Sequence, residues 1–141
     1  MTTTRDITLD RIVANFEFLD DWEERFTYLI DLGKKLPDMP EAERVERNRV
    51  HGCQAQVFMK PRVEGEPPVV VFDAWSDAAT VKGLITILMT MYSGKTADEI
   101  LSTDAESVFE QLGLEEHLSM TRRNGLHAMI KRIRAIATEL K

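Results

Sequence analysis

The sequence contains very little cysteine: Cys53 is the only one in a chain of 141 residues. A single thiol excludes an internal disulfide, a CxxC redox pair and the multi-cysteine sites that bind zinc or iron–sulfur clusters. An excess of positive charge is also missing, because 24 Asp and Glu outnumber 18 Lys and Arg and give a net charge of −6. That balance argues against a nucleic-acid-binding protein. Cys53 is therefore either an inert core residue or the centre of the function.

Long apolar runs are absent as well. The most apolar stretch, residues 83–92, is about half as long as a bilayer-spanning helix, and residues 1–6 are not followed by the apolar core of a secretory signal. We therefore expect no membrane association and a cytoplasmic location, where reducing conditions keep a lone thiol free. The length suits one domain covering residues 1–141.

Helices are predicted on both sides of a central β segment. Thr8 precedes apolar residues at helical spacing, and Asp21 with Glu24 has the form of a capping box that begins a second helix, which Gly33 is placed to end. Three further helices are predicted to begin after Ser76 or Asp77, at a capping box of Thr96 and Glu99, and at Asp104, the last of them ending at Gly113. A C-terminal helix is predicted from the apolar stripe Leu126, Met129, Ile130, Ile133, Ile136, Ala137 and Leu140.

The middle of the chain has the period of β-structure. Residues 54–60 alternate polar and apolar side chains, residues 61–68 are rich in Gly, Glu and Pro, and residues 69–75 are β-branched and aromatic. This pattern predicts two antiparallel strands joined by a hairpin loop. The whole order predicts one α+β domain in which helices cover a small sheet.

Several polar candidates lack the context that their chemistry needs. Residues 93–96 resemble the end of a phosphate-binding loop, but Met89 stands where that motif requires glycine. The three histidines have no spacing typical of a catalytic triad, and we expect no metal site. Asp73 and Asp77 fit an acid–base pair, although a helix cap at Asp77 is the stronger interpretation.

The surroundings of Cys53 favour a functional thiol. Gly52 allows a sharp turn or a close approach by another molecule, and Arg47, Arg49 and His51 place positive charge upstream, which favours the thiolate. Cys53 is also in phase with the apolar side of the following strand, and burial there would raise its pKa. We expect a thiol that is partly sheltered at rest and activated when the loop moves or a partner docks.

The two parts of the chain differ in charge. Residues 120–141 contain six Lys or Arg and one Glu, a net charge of +5, whereas residues 1–119 carry −11. One interpretation is a solvated basic helix end that complements the helix dipole. The other is a docking surface for an acidic partner.

Three separated segments resemble, in order and spacing, the SufE family of sulfur acceptors that serve cysteine desulfurases. The first is similar to the active-site segment of that family and departs from it only at Ala55 and Phe58, where serine and tryptophan are common. The segments are Val50-His51-Gly52-Cys53-Gln54-Ala55-Gln56-Val57-Phe58, Ser76-Asp77-Ala78-Ala79-Thr80-Val81-Lys82-Gly83-Leu84, and Leu118-Ser119 with Thr121-Arg122-Arg123-Asn124-Gly125-Leu126.

The resemblance implies an α+β fold shared with the IscU-like scaffold proteins of iron–sulfur assembly, with a three-stranded antiparallel sheet packed against helices and the cysteine on a loop at its edge. It also implies that Cys53 takes persulfide sulfur from a desulfurase of the SufS or CsdA kind, stimulates that enzyme and passes the sulfur to a scaffold such as the SufBCD complex. Pyridoxal phosphate (PLP) would belong to the desulfurase, and this chain would need no cofactor.

The resemblance further implies partner-facing roles around the thiol. Gly52 and Gln54 flank Cys53, and His51 is a candidate to tune the thiolate. Asp77 and Arg122 are candidates for docking or loop positioning, with a helix cap and a surface charge as their alternative roles. Either a monomer or a homodimer fits.

Two other function classes stay open. A thiol-based redox regulatory adaptor would use reversible oxidation of Cys53, although the sequence has no second cysteine to resolve it. A protein-interaction module would bind through its basic C-terminal helix, and its cysteine would be incidental.

Overall fold

The computed structural model describes residues 8–141, so residues 1–6, where a secretory signal would begin, lie outside the described residues. Two helices come first, and two short 3₁₀ turns, Glu41–Glu43 and Glu46–Asn48, lead into a β-hairpin that is followed by five more helices. The elements are α1 (Leu9–Phe18), α2 (Trp22–Lys34), β1 (Val57–Glu64), β2 (Val69–Ser76), α3 (Ala79–Tyr92), α4 (Ala97–Ser102), α5 (Ala105–Leu112), α6 (Leu114–His117) and α7 (Met120–Leu140).

The α+β class is confirmed, but the sheet within the described residues has two strands rather than three. β1 and β2 pair antiparallel, from Val57 opposite Ser76 to Glu64 opposite Val69. Ahead of β1 the chain makes only a single bridge, between Arg49 and Phe58. The third strand is missing because the segment before that bridge coils into the two 3₁₀ turns instead of extending.

The first strand begins later than the alternation of residues 54–60 predicts. β1 starts at Val57, because the backbone N–H of Gln56 donates to Asp77 Oδ1 at 3.0 Å instead of extending the ladder. Residues 54–56 therefore belong to a loop. This correction places Cys53 outside the sheet.

The same strand also ends later than predicted, at Glu64, although it contains Pro61. Pro61 lies opposite Phe72, two residues beyond Val70, whose N–H and C=O bond outward to Lys95 and Gly94. Alternate residues of an antiparallel strand have the same hydrogen-bonding direction, so Pro61 occupies a position where no N–H is needed for the β1–β2 ladder.

Local capping signals predict most helix ends correctly. Asp21 accepts from the Glu24 N–H at 2.8 Å, Thr96 and Glu99 form the reciprocal capping box, and α5 lies between the Asp104 cap and Gly113, which has φ +72°.

Gly33 does not end α2, which continues to Lys34. It is buried at the crossing with α3, where a Cβ on Gly33 would lie 2.7 Å from the Gly83 backbone nitrogen. A side chain at this position would force the two helices apart, so Gly33 serves helix packing rather than helix termination.

α3 and α7 supply much of the core. α3 packs against α2 and β2, while α7 packs against α4 and α3. The predicted C-terminal stripe is buried except for Leu140, which is 44% exposed. Among the helices of residues 8–141, none combines the length and apolar character needed to cross a membrane.

Candidate functional site around Cys53

Cys53 lies on a short loop, residues 51–56, that is closed at its base. The Val50 N–H donates to the Val57 carbonyl at 2.8 Å, where the loop leaves and rejoins the sheet. Asp77, which follows β2, accepts from the Gln56 N–H at 3.0 Å. These bonds fix both ends of the loop and leave Cys53 near its middle.

Two glycines allow this loop to lie against α7. Gly52 has φ +96°, a backbone conformation that favours glycine, and a Cβ there would lie 3.2 Å from the Ala128 Cβ. On the helix side, a Cβ on Gly125 would lie 3.4 Å from Cys53 Sγ. The thiol therefore faces bare helix backbone, and Sγ donates to the Gly125 carbonyl at 3.4 Å.

The segment before the loop is tied to both α7 and the sheet. Arg132 on α7 donates from Nη2 to the Arg47 carbonyl at 2.8 Å. Asn48 is buried and donates to the Glu43 carbonyl at 2.8 Å, while the Glu43 carboxylate pairs with Lys60 of β1 at 3.1 Å. These contacts position the backbone that carries the residues just before the thiol.

Cys53 borders a cavity of about 310 Å³ between the loop, the start of α3 and the start of α7. A water molecule takes up about 30 Å³ in the liquid, so the cavity has room for several atoms beyond Sγ. Its walls are mixed. The apolar part includes Val81, Leu84, Leu126 and Met129, and the polar part includes Gln54, Asp77, Thr121 and Arg122.

The thiol is held in its protonated form. Burial raises the pKa of Cys53, and the positive charge of Arg49 lowers it by a smaller amount. The S–H bond to the Gly125 carbonyl acts in the same direction as burial, because a carbonyl oxygen accepts from the thiol and repels the thiolate. Sheltering therefore outweighs the positive charge that the sequence places upstream.

Arg122 lines the cavity and also has an unsatisfied hydrogen-bond donor. Its Nη1 atom is buried and has no hydrogen-bond partner within residues 8–141. A buried guanidinium N–H without an acceptor is unfavourable by about 1–3 kcal/mol or more. A hydrogen-bond acceptor that reached this N–H would relieve that cost.

The sequence profile of the SufE family, described as an Fe-S metabolism associated domain, matches residues 10–137. The chain belongs to the SufE family. An uncharacterized SufE-like protein of Rhizobium meliloti (strain 1021) is 47% identical over 132 residues, which are 92% of this chain and 94% of that protein. One from Rhizobium etli is 47% identical over 129 residues, 90% of this chain and 87% of the relative.

A solved structure has the same fold. A hypothetical protein from Thermus thermophilus, determined in solution, superposes with a TM-score of 0.73 at 28% identity and covers 93% of each chain. The SufE-family membership inferred from the three motifs is thus confirmed, and with it an association with iron–sulfur metabolism.

Four of the six predicted site residues come together in this SufE-family chain: Cys53, Gln54, Asp77 and Arg122 line the cavity. Gly52 lies beside them against α7. His51 is exposed and points to Glu46, with its Nε2 2.6 Å from Glu46 Oε2.

The predicted helix cap at Asp77 is wrong. α3 begins after Ala78, which has no side-chain capping bond, because the Asp77 carboxylate is already bonded to the loop. The alternative acid–base pair with Asp73 does not form at this site either, since Asp73 pairs with Arg62 at 3.1 Å on the hairpin.

Sequence reasoning did not single out Gly125. The available signal was its place in the family-like segment Thr121-Arg122-Arg123-Asn124-Gly125-Leu126. In the structure Gly125 lies inside α7, and its missing side chain leaves space beside Cys53 Sγ.

The other histidines lie elsewhere. His117 is stacked on Trp22, with ring centroids 3.8 Å apart, and His127 lies 3.1 Å from Glu115. No group of three or more His, Cys, Asp or Glu side chains suited to a metal ion occurs in the part of the chain that the structure describes.

Proposed function

We propose that Cys53 accepts the outer sulfur of a cysteine persulfide on a cysteine desulfurase and carries it as its own persulfide to an iron–sulfur assembly scaffold. One observation supports this most directly: the single thiol of a SufE-family chain borders a cavity with space beyond its sulfur. An inert core cysteine would be packed on all sides instead.

The transfer is a thiol exchange that requires no oxidant. The Cys53 thiolate attacks the outer sulfur of the donor persulfide, so one S–S bond forms to Cys53 while the donor's S–S bond breaks. The donor cysteine leaves as a thiolate, and the outer sulfur carries its own hydrogen to Cys53. Cys53 loses one proton when it ionises, and the departing donor thiolate can accept one, so the number of protons is unchanged overall.

The resting geometry protects the thiol and its cargo. In the described state, burial and the Gly125 carbonyl keep Cys53 protonated. A donor that draws the loop away from α7 removes both influences and leaves the positive charge of Arg49, which favours the thiolate. After transfer, return of the loop places the outer sulfur in the cavity, away from water and oxidants.

The neighbouring residues have separate tasks in this proposal. Gly52 permits the loop to enter the donor's site, and Gln54 faces the donor beside the thiol. Asp77 holds the loop through the Gln56 N–H. Arg122 offers its unpaired N–H to a hydrogen-bond acceptor on the desulfurase. His51, engaged with Glu46 at the surface, contacts the partner rather than acting as a base.

The partners follow from the same chemistry. The donor is a PLP-dependent cysteine desulfurase of the SufS or CsdA kind, because such an enzyme generates a persulfide from free cysteine. The recipient is a scaffold of the SufBCD type. The chain itself supplies one thiol and no cofactor.

The test combines mass and turnover. The protein is incubated with the cysteine desulfurase of its own organism and with cysteine, and intact mass and the desulfurase rate are measured. We expect the added mass of sulfur on Cys53 and faster turnover, and we expect Cys53→Ser to lose both.

A relocated thiol provides the matched control. The double variant Cys53→Ser with Ser107→Cys keeps one cysteine but places it at an exposed position on α5, away from the cavity. It should not stimulate the desulfurase. If the parent gains no sulfur, or if Cys53→Ser stimulates the enzyme as well as the parent, the proposal is wrong.

A further inference from the structure

The segment that carries Cys53 runs antiparallel beside α7 over about two turns of the helix. As the segment advances from residue 47 to residue 53, its contacts on α7 move back from residue 132 to residue 125. The first contact is a hydrogen bond, the second is a close approach at a glycine, and the third is the bond from the thiol. The three pairs are Arg47 with Arg132, Gly52 with Ala128, and Cys53 with Gly125.

This arrangement brings together basic residues from distant parts of the sequence. We call Arg47, Arg49, Lys131 and Arg132 the basic strip. Arg47 and Lys131 are exposed, and Arg49 and Arg132 are half-buried. Lys131 follows Ala128 by three residues, so it neighbours the helix face that Gly52 approaches.

The basic strip has no internal counter-charge. Within residues 8–141, none of its four cations lies within ion-pair distance of a carboxylate. The adjacent Glu46 is engaged with His51. Four other cations, Lys34, Lys60, Arg62 and Lys141, pair with an acidic side chain. Other cations, such as Arg11 and Lys95, make no ion pair within the described residues either, so the strip is distinguished by having four such cations close together.

The rest of the molecule has the opposite charge. The chain carries −6 in total, and an acidic surface on the connection between α1 and α2 and on α2 itself exposes Asp20, Asp21, Glu23, Glu24 and Asp31. Like charges held together without counter-ions repel one another, so the net charge of the basic strip opposes folding, although Arg132 also donates to the Arg47 carbonyl. It becomes favourable when an acidic surface covers it.

The strip adjoins the reacting atom. The positive charge of Arg49 lowers the pKa of the Cys53 thiol. Arg47 lies two residues before Arg49 in the same segment. The strip residues do not line the cavity itself, but Arg47 and Arg49 directly precede the loop that carries Cys53. A protein that binds this loop therefore comes close to the strip.

We propose that the basic strip is the docking surface for an acidic face of the sulfur-donor protein. This inference rests on the proposed function and adds the chemistry that selects the partner. Charges at the rim of an interface act mainly on the association rate, and steering of this kind raises it by about 10- to 1,000-fold. The strip then attracts the donor, and the acidic remainder of the chain repels acidic faces that approach in other orientations.

The experiment measures binding without sulfur transfer. A Cys53→Ser chain is titrated into the cysteine desulfurase of the same organism at low salt and at about 1 M salt, where the Debye length is roughly 3 Å. In that background Arg47→Glu with Lys131→Glu reverses the two exposed cations of the strip. Arg11→Glu with Lys95→Glu makes the same charge change at exposed positions on α1 and before α4.

We expect the strip variant to bind at least about tenfold more weakly than the control variant at low salt. The difference should largely disappear at high salt. Equal affinity of the two variants, binding that does not depend on salt, or no binding of the parent at low salt would overturn the inference. So would equally tight binding of the parent to a DNA duplex of arbitrary sequence, because the strip would then be a general polyanion site.

The two proposals fail separately. Sulfur loading of the unmodified chain, measured by mass, tests the carrier function alone. If loading occurs but binding ignores the strip, only the docking inference is wrong. If binding depends on the strip but no sulfur is transferred, the carrier function is wrong and the docking surface stands.

Discussion

Cys53 is subject to two opposing influences on its ionisation. Burial raises the pKa of the thiol, and Arg49 lowers it to a smaller extent. The upstream positive charge thus has the expected sign at Arg49, but it does not control the result. A half-buried thiol next to one cation stays protonated until its surroundings change.

The thiol should therefore alkylate with a pH midpoint above that of the same thiol in the unfolded chain. Arg49→Gln should raise the native midpoint further, because it removes the charge that favours the thiolate. Iodoacetamide labelling followed by mass measures both, and a single cysteine makes the signal unambiguous. Arg47→Gln, two residues away, is the matched control and should leave the midpoint unchanged.

The same pKa shift has a consequence for stability. The folded state holds the thiol proton more tightly than the unfolded state, so stability falls as pH rises from the thiol's unfolded pKa to its raised native pKa. Cys53→Ser lacks this fall. A native midpoint at or below the unfolded one would contradict the sheltered thiol.

Among the secondary-structure elements, α3 begins without a side-chain cap, because the nearby carboxylate of Asp77 bonds the loop instead. Ser76 bonds the Ala78 N–H at 3.2 Å, and Asp77 bonds the Gln56 N–H rather than the first turn of the helix. A cap contributes about 1 kcal/mol to a helix. Here the carboxylate instead fixes the loop that carries Cys53.

Asp77→Ala should release that loop and expose Cys53. Loss of one hydrogen bond of about 1 kcal/mol predicts labelling of the native thiol about fivefold faster. Asp77→Asn keeps an oxygen acceptor and should stay near the parent rate. Asp104→Ala removes a true helix cap on α5 at similar cost to stability, and it should leave labelling unchanged. Equal acceleration in the Asp104 and Asp77 alanine variants would mean general loosening instead of loop release.

At the scale of the whole molecule, close approaches at glycine connect the helices and the site. A Cβ on Gly83 would overlap the Leu29 carbonyl oxygen on α2. A Cβ on Gly125 would meet Cys53 Sγ at 3.4 Å, which is an ordinary contact. Both glycines are helical, so replacing each by alanine separates a packing requirement from a functional one.

Gly83→Ala should destabilise the fold by about 3 kcal/mol, because the α2–α3 crossing must open. Gly125→Ala should keep or raise the melting temperature, since alanine favours a helix by about 1 kcal/mol, yet it should reduce sulfur loading because it narrows the cavity. Thermal unfolding and intact mass after loading check the pair. Undiminished loading in the Gly125 variant would show that the cavity space is not used.

Features that depend on residues close together in the chain could be predicted from the amino-acid sequence. Caps at Asp21, Thr96 and Asp104 could be predicted because each side chain bonds a backbone N–H three residues later. Local patterns also predicted the hairpin, from its alternation, and the buried stripe of α7, from its helical spacing. The family-like segment identified the lone thiol.

Features that depend on contacts between distant residues could be read only from the folded structure. The Sγ of Cys53 meets a carbonyl 72 residues away, Asp77 bonds Gln56 rather than its own helix, and Gly33 faces Gly83. Burial, and hence the pKa of the thiol, is set by which helices close over the loop. Local patterns could identify the reactive atom, but only the packing of α3 and α7 around it gives the shelter and the cavity.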